Sequence, residues 1–443
     1  MEDLHLNEVT DETGAVHPLE RKIGKGGQGV VWLVKGGRRV VKLLDRGDPE
    51  TLRRQFLFVR RLDLSGLHVA KPLAVLKPPR VGYVAEFLGD MTPIGTLLAP
   101  PAEDPTRWHI DTGGLRRRLR LLAHTGEALV GLHGRAGVVY GDISHNNVFV
   151  STPVKGHEAW LIDLDNLAHD SDPRRAIYTP GYGAPEIVAG KAGCTSLSDA
   201  WAFAVLVWQT LTLTHPFIGD LVHDGEPELE ERAFAGELPW VGHSSDAQNA
   251  CTRGLPPEQV MGSRLVELAA RTFEHGLGDR KKRPGIGDWV ERLHAAADQT
   301  VLCPGCKGTY FVPETYCPWC DESRPAVIPV RLARWQPDKG LVQGAVKLGQ
   351  FPLTAEPLAL TRRDTLGHTG VAAREAHVEL ALVDRGISVR ARPGRDAWIA
   401  AVAHPQDRHA QAERPRIVPP SGWMIFFEDP SKPQRVALLG RSP

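Results

Sequence analysis

The chain of 443 residues is poor in several things. It has six cysteines, four methionines and 7% aromatic residues, and it carries no excess of charge, since Lys+Arg and Asp+Glu both number 53. So little cysteine excludes a disulfide framework. Balanced charge argues against a bulk polyanion binder and against wholesale attraction to a membrane surface. No long hydrophobic run is present either. The most apolar stretch, AWAFAVLVWQTLTL at 200–213, is too short to cross a bilayer and carries Gln209. The opening MEDLHLNEVTDETG is acidic and polar, unlike a secretory signal, so a cytoplasmic location is expected. No internal repeat or low-complexity tract occurs. What is present is ordinary globular composition, 42% hydrophobic and 24% charged, which excludes disorder along the whole chain. The length exceeds the roughly 250–300 residues that one core sustains, so two or three domains are expected.

Pattern along the chain divides it into an expected multidomain α+β protein. Residues 1–16 read as a polar lead. Residues 17–100 alternate short apolar runs with Gly and Pro breaks, a strand pattern, whereas 114–134, 196–213 and 286–298 place apolar residues at helical spacing. A β-rich start followed by a helix-rich stretch implies two lobes over 17–298. A small insert dense in Cys, Pro and Gly occupies 299–325, and 326–443 returns to strands. There Val378, Leu380 and Leu382 alternate with polar or small residues, Asp384-Arg385-Gly386 turns the chain, and Ile387, Val389 and Ala391 alternate again, which predicts a hairpin. Trp423–Phe427 and Arg435–Leu439 read as two more strands of an all-β sandwich or barrel.

Three clusters suit phosphate chemistry. Gly24-Lys25-Gly26-Gly27-Gln28-Gly29-Val30-Val31 fits G-x-G-x-x-G-x-V, in which glycines let backbone N–H groups approach phosphate oxygens. A dinucleotide fold would need a helix after the last glycine, but the strand-like VVWLV follows. Lys42 then sits alone in the apolar run Val40–Leu44, where a buried ammonium needs an anionic partner. Asp142 and Asn147 lie five apart in YGDISHNNVF, and the apolar run Trp160-Leu161-Ile162 ends in Asp163-Leu164-Asp165. Oxygen ligands of this kind suit Mg²⁺, a hard ion.

In chain order these residues resemble the protein-kinase family over roughly 17–298. Gly183-Ala184-Pro185-Glu186 matches the A-P-E motif, Asp199 opens a segment similar to the long buried helix whose Asp braces the catalytic loop, and Arg283 matches the late arginine that pairs with the A-P-E glutamate. The resemblance implies a bilobal kinase fold using ATP and Mg²⁺ (or Mn²⁺). It implies a nucleotide site at Gly24, Gly26, Gly29, Val31, Lys42, Ala85, Glu86 and Leu88, with Glu86-Phe87-Leu88 as the adenine-reading hinge. Ala85 would be a small gatekeeper that admits bulky N6-substituted ATP analogues. Lys42 would contact the α- and β-phosphates, Asp142 would act as base, and Asp163 and Asn147 would hold the metal, with Asp165 the alternative to Asp163. Transfer to a protein Ser or Thr hydroxyl is the leading expectation. An ATP-binding scaffold without efficient catalysis and a small-molecule kinase are the alternatives.

The chain departs from the family at four places. Gln55 aligns with the helix glutamate that pairs with the strand lysine, so either Glu50 pairs with Lys42 or Gln55 makes a neutral hydrogen bond to it. Gly141 replaces the arginine before the catalytic Asp, so regulation through that arginine is not expected. Ser144 replaces the lysine two places after Asp142, and Asp165 stands at the glycine of D-F-G. Tyr178 and Thr179 are candidate autophosphorylation sites. The Y-G-D-I-S-x-N-N loop and the high arginine content resemble bacterial kinases, some of them grouped with a metal-dependent phosphatase and a von Willebrand factor A-type protein in tellurite-resistance triads.

Cys303-x₂-Cys306-x₁₀-Cys317-x₂-Cys320 supplies two tight turns with inward sulfurs, the spacing of a structural Zn²⁺ site, and resembles a zinc ribbon. Iron and a redox dithiol are the competing readings. Between Cys303 and Cys320 there is a single basic residue, Lys307, and Asp321-Glu322 follow directly, so a nucleic-acid role is not expected and protein docking is. Gly367-His368 with Arg374-Glu375-Ala376-His377 resembles a degenerate forkhead-associated domain lacking that family's phosphate-reading residues. A plain β interaction module is the default, its arginines suiting an acidic or phosphorylated partner.

Overall fold

The computed structural model describes residues 6–26, 29–170, 176–342, 348–410 and 414–440. Two compact units result, one of Met1–Ala99, His124–Gly254 and Glu267–Trp289, the other of Pro100–Ala123, Leu255–Val266 and Val290–Pro443. Among the described residues no helix is long and apolar enough to cross a membrane.

The first unit opens on an antiparallel sheet of six strands: β1 (Glu8–Thr10), β2 (Val16–Gly26), β3 (Gly29–Val34), β4 (Arg39–Leu44), β5 (Ala74–Val75) and β6 (Gly82–Glu86), in the order β1-β2-β3-β4-β6-β5. The segment expected to be a polar lead therefore contributes a strand. Its anchor is Val9, which is buried, and Asp11, whose carboxylate caps its own turn and meets His17 at 2.8 Å. Helix α1 (Pro49–Arg61) follows. Asp48 caps it by accepting from the Thr51 N–H, Pro49 takes the first position, and Phe56 and Val59 face the core. Glu12, in the turn after β1, pairs with Arg53 and Arg60 of this helix.

The helical part follows the expected pattern closely. Helices α2 (Pro105–Asp111) and α3 (Gly114–Gly131) come first, then the short α4 (Pro185–Val188) and the long α5 (Ser196–Thr212). Thr195 and Ser198 form a capping box that starts α5, and Leu213 ends it in a left-handed turn. Nearly every residue of α5 is buried, as an all-round apolar helix requires. Its Trp201 stacks on Phe217 and meets Phe273 edge to face, and its Trp208 meets Trp240 edge to face, in one aromatic core.

The helix expected at 286–298 spans Ile286–Asp298 and leads, in the second unit, into a hairpin of Thr300–Leu302 and Thr309–Phe311 that carries the cysteine turns. Packing does not follow the linear boundary at 298/299. Arg116 of α3 donates to Thr300 and to Glu356, while its backbone N–H donates to Thr309. Buried Asp298 accepts from both Arg120 and Arg363, a pairing that holds its carboxyl below the usual range against the opposing effect of burial.

Residues 328–439 form a sandwich of two antiparallel sheets, seven strands on one face and four on the other. Val330, Phe351, Ile399 and Ile425 of the first sheet and Leu360, Val378, Leu380 and Val389 of the second share one core. The expected hairpin is present, with Val378 opposite Ala391 and Leu380 opposite Val389. The two later strands span Trp423–Phe426 and Gln434–Leu439. His377 is buried between Thr365 and the carbonyl of Asp396.

Candidate active site

Strand pairing brings Val31, Lys42 and Tyr83 side by side across β3, β4 and β6, with Ala85 beside Val40 and Glu86 beside Arg39. Ala85 is buried in a cluster with Phe56 and Tyr83, Glu86 is exposed and Leu88 half-buried. The glycines of the β2–β3 turn serve different ends. A Cβ on Gly29 would stand 1.9 Å from the Leu43 carbonyl oxygen, so this glycine permits close strand approach. Among the described residues a Cβ on Gly26 would meet nothing, and one on Gly24 only the Val31 side chain. Those two leave open backbone, as a phosphate cradle requires. Gly27 and Gln28 lie outside the described residues.

Lys42 is largely buried, and two carboxylates meet its ammonium. Asp163 is hydrogen-bonded to Nζ, and Oδ2 of Asp165 lies 2.6 Å from it. Burial alone would lower the lysine pKa; the two acids override it and raise it above its ordinary value. Burial pushes the Asp165 carboxyl up to about 7, with Asp163 adding to the rise and Lys42 opposing it. Asp163 takes a left-handed conformation, φ 58, at the head of the turn Leu164–Asn166. That conformation is uncommon for a residue with a side chain and aims the carboxylate at Lys42.

Neither expected partner of Lys42 is found. Gln55 instead donates from Nε2 to the carbonyl of Leu167 at 2.6 Å, and Glu50 pairs with Arg54 in solvent. Both expectations are corrected, because the turn after Asp163 supplies the buried acid and α1 supplies a donor.

Asp142 accepts from Asn147 Nδ2 at 3.1 Å and from Thr179 Oγ1 at 2.7 Å. Thr179, a modification candidate from sequence, thus spends its hydroxyl on the acid. The loop is held from behind by Asp199, which accepts from the backbone N–H groups of Tyr140 and Gly141 and meets His133 at 2.8 Å. The Tyr140 hydroxyl donates to the Ile162 carbonyl, and the Ile162 N–H to the Asn147 carbonyl, so one side-chain bond and one backbone bond tie the Asp142 and Asp163 loops. Arg283 makes two parallel 2.7 Å bonds to Glu186, which hold that carboxyl below its ordinary value although burial works the other way. Ser144 is buried, and its Oγ has no hydrogen-bond partner among the described residues.

Lys42 on β4, Asp163 on the turn after Ile162, and Asp142 with Asn147 on the loop between them in sequence are therefore brought to two adjoining loops and the strand that faces them. Sequence reasoning missed Asp165 as the lysine's partner and Thr179 and His133 as supports. The signal for Asp165 was available: an acid where the family has glycine, in a chain whose helix lacks its glutamate.

In the second unit the four cysteine sulfurs lie within 4.8 Å of one another, with Cys303–Cys320 at 3.5 Å and Cys306–Cys317 at 3.7 Å, and no disulfide joins them. A zinc tetrahedron with Zn–S near 2.3 Å has edges of about 3.8 Å. Lys307 and Asp321, each directly after the second cysteine of its pair, take left-handed conformations, so the two turns share one shape.

Residues 115–252 match the family model of the protein kinase domain. The chain is similar to the serine/threonine-protein kinase pkn2 of Myxococcus xanthus, 29% identical over 66% of this chain and 34% of that protein. It is similar to protein kinase YegI of Escherichia coli (26% identical; 72% of this chain, 51% of that protein). CBL-interacting protein kinase 4 of Oryza sativa subsp. japonica is 29% identical over 57% of this chain and 56% of its own length. The chain thus spans about a third to just over half of these relatives. The family match over residues 115–252, the relatives and the loop geometry agree in supporting a protein kinase of the eukaryotic-like kind.

Proposed function

We infer that the chain is an ATP- and Mg²⁺-dependent protein kinase that transfers the γ-phosphoryl group to a Ser or Thr hydroxyl of a protein. The observation that carries this reading is the pair of adjoining loops, one presenting Asp142 with Asn147, the other Asp163 against Lys42. Asp142 takes the proton of the attacking hydroxyl as its oxygen bonds to the γ-phosphorus and the bond to the β-phosphate oxygen breaks. A carboxylate has acceptor capacity left beside Asn147 and Thr179 for that hydroxyl. Lys42 sets a positive charge against the α- and β-phosphates, and Gly24 and Gly26 leave room for phosphate oxygens. Asp163 and Asn147 would hold Mg²⁺, which supplies charge neutralisation on the transferring group. Glu86 and Leu88 would border the adenine, with Ala85 behind it.

The reading includes a kinase-like domain over 17–298, a structural zinc ribbon over 299–325 held by Cys303, Cys306, Cys317 and Cys320, and a β interaction domain over 326–443. The likeness of its loop to triad kinases suggests a metal-dependent phosphatase and a von Willebrand factor A-type protein as partners, at a cytoplasmic location. Ser144 favours a second reading, an ATP-binding scaffold, because it puts no cation beside Asp142.

Incubation with Mg²⁺ and γ-labelled ATP, beside an Asp163→Asn variant, tests both. Label on protein from the wild type and none from the variant supports the kinase. No label with Mg·ATP binding intact supports the scaffold.

A further inference from the structure

The geometry points to Asp165 as the residue that positions Lys42, doing from the Asp163 loop what a carboxylate on α1 would otherwise do. The inference rests on Lys42 being the phosphate-contacting lysine of the reading above. A lysine that must face phosphate needs its ammonium fixed in place and kept charged while largely withdrawn from water. Asp165 meets both needs: Oδ2 is 2.6 Å from Nζ, and its side chain is only 3% exposed, against 30% for Asp163. The more exposed Asp163 is the one open to a metal, and the buried Asp165 is the one committed to the lysine.

The residue on α1 explains why the exchange is coherent. Gln55 lies over the same turn and donates to the Leu167 carbonyl. A glutamate there would set a carboxylate against a carbonyl oxygen, two acceptors with no proton between them. Glu50, the remaining acid of that helix, is exposed and engaged with Arg54. The two departures from the family pattern, glutamine on the helix and aspartate after Asp163-Leu164, are therefore one compensated change. The acid has moved to the turn, and the helix has become the donor that holds the turn. Asp165 Oδ1 is buried with no hydrogen-bond partner among the described residues, and Lys42 is the cation that meets this carboxylate, through Oδ2.

The test is a double-mutant cycle read on the affinity of a fluorescent ATP analogue at fixed Mg²⁺, with melting curves as the fold control. Asp165→Asn and Lys42→Met should each weaken binding about tenfold, and the double variant should be no weaker than the worse single. The Mg²⁺ concentration for half-maximal binding should not move in Asp165→Asn. Asp165→Gly combined with Gln55→Glu, which restores the carboxylate to the helix, should recover most of the affinity lost in Asp165→Gly alone. Additive losses, a raised Mg²⁺ requirement in Asp165→Asn, or a folded double variant without recovery would each overturn the inference. A wild type that binds the analogue but labels no protein overturns the kinase reading only, because the cycle does not depend on transfer. A wild type that binds no nucleotide overturns both.

Discussion

The Lys42–Asp163 site and the cysteine hairpin both gather ligand-type side chains into a small volume, but they reach that end by opposite routes. The hairpin draws its four sulfurs from one short stretch, around a small apolar cluster in which Val301 and Tyr310 accompany two of the cysteines themselves. So small a core cannot hold four thiols together unaided, and a metal would supply the missing folding energy. The other site sets Lys42 of β4 against Asp163, 121 positions further along the chain, beside the loop of Asp142 and Asn147, and holds them with buried supports: Asp199 behind the loop, Arg283 on Glu186, and an all-round buried helix. Ligands that are local in sequence leave the metal to build the site. Ligands that are remote require the fold to build it beforehand.

The largest effect that separates the two belongs to metal removal. Structural zinc sites contribute on the order of 10 kcal/mol of folding free energy. Cys317→Ser or a strong chelator should release about one zinc per chain and expose the amides of Thr300–Leu302 and Thr309–Phe311 to hydrogen exchange, while ATP affinity changes less than about twofold. Protected amides in metal-free protein would break the comparison. So would a collapse of nucleotide binding.

Asp142→Asn comes next. It removes the proposed proton acceptor but keeps a side chain that can meet Asn147 and Thr179. The turnover number should fall about 10²–10⁴-fold with ATP affinity nearly unchanged, as measured by initial rates and equilibrium binding. A loss confined to KM would mean that the acid binds and does not take the proton.

Arg283→Ala probes the supports. It leaves Glu186 half-buried without its cation and should cost about 3 kcal/mol in denaturant unfolding. Arg283→Ala with Glu186→Gln should recover part of that loss. Equal instability of both would point to the packing of Arg283 on Trp201 instead.

What could be read from sequence follows the same division. Lys42, Asp142, Asn147, Asp163 and the four cysteines stood out as candidates by residue type and spacing, and the structure sets Lys42 against Asp163, Asp142 against Asn147 and the four sulfurs together, whereas the Arg283–Glu186 pair was expected only from the resemblance to the kinase family. The helices and the Val378–Ala391 hairpin were legible from apolar periodicity. Strand Glu8–Thr10 was not, since three residues with one buried side chain carry too little pattern. Asp165 and Gln55 were seen as departures, but their exchange of roles depends on a contact between α1 and the turn after Asp163 that no local signal encodes. Arg116 is similar: its bonds to Thr300 and Glu356 join residues far apart in the chain.

An effect of similar size, reached only at acid pH, tests burial in the helical region itself. Burial lowers His215 to about 4, although its bond to the Gly181 carbonyl opposes the shift. The unfolded chain takes up a proton near pH 6.5 and the native state does not, so stability is full above that pH and declines as pH falls toward 4. The slope is about 1.4 kcal/mol per pH unit from this group. His215→Gln keeps a donor for Gly181 and should flatten that part of the curve in urea titrations at successive pH values. An unchanged slope would assign the acid sensitivity to other groups.

The smallest effect concerns Ala85. A side chain of one methyl leaves space where a larger residue would close the back of the adenine site, so N6-benzyl ATP should compete with ATP, and Ala85→Phe should weaken that competition about tenfold without altering ATP itself. The same cluster contains Phe56 and Tyr83, whose rings meet edge to face at 5.0 Å. If the analogue fails against the wild type but binds Phe56→Ala, the space beside Ala85 is filled from α1. The small residue would then serve helix packing, and the nucleotide site would depend on α1 through Phe56 as well as through Gln55.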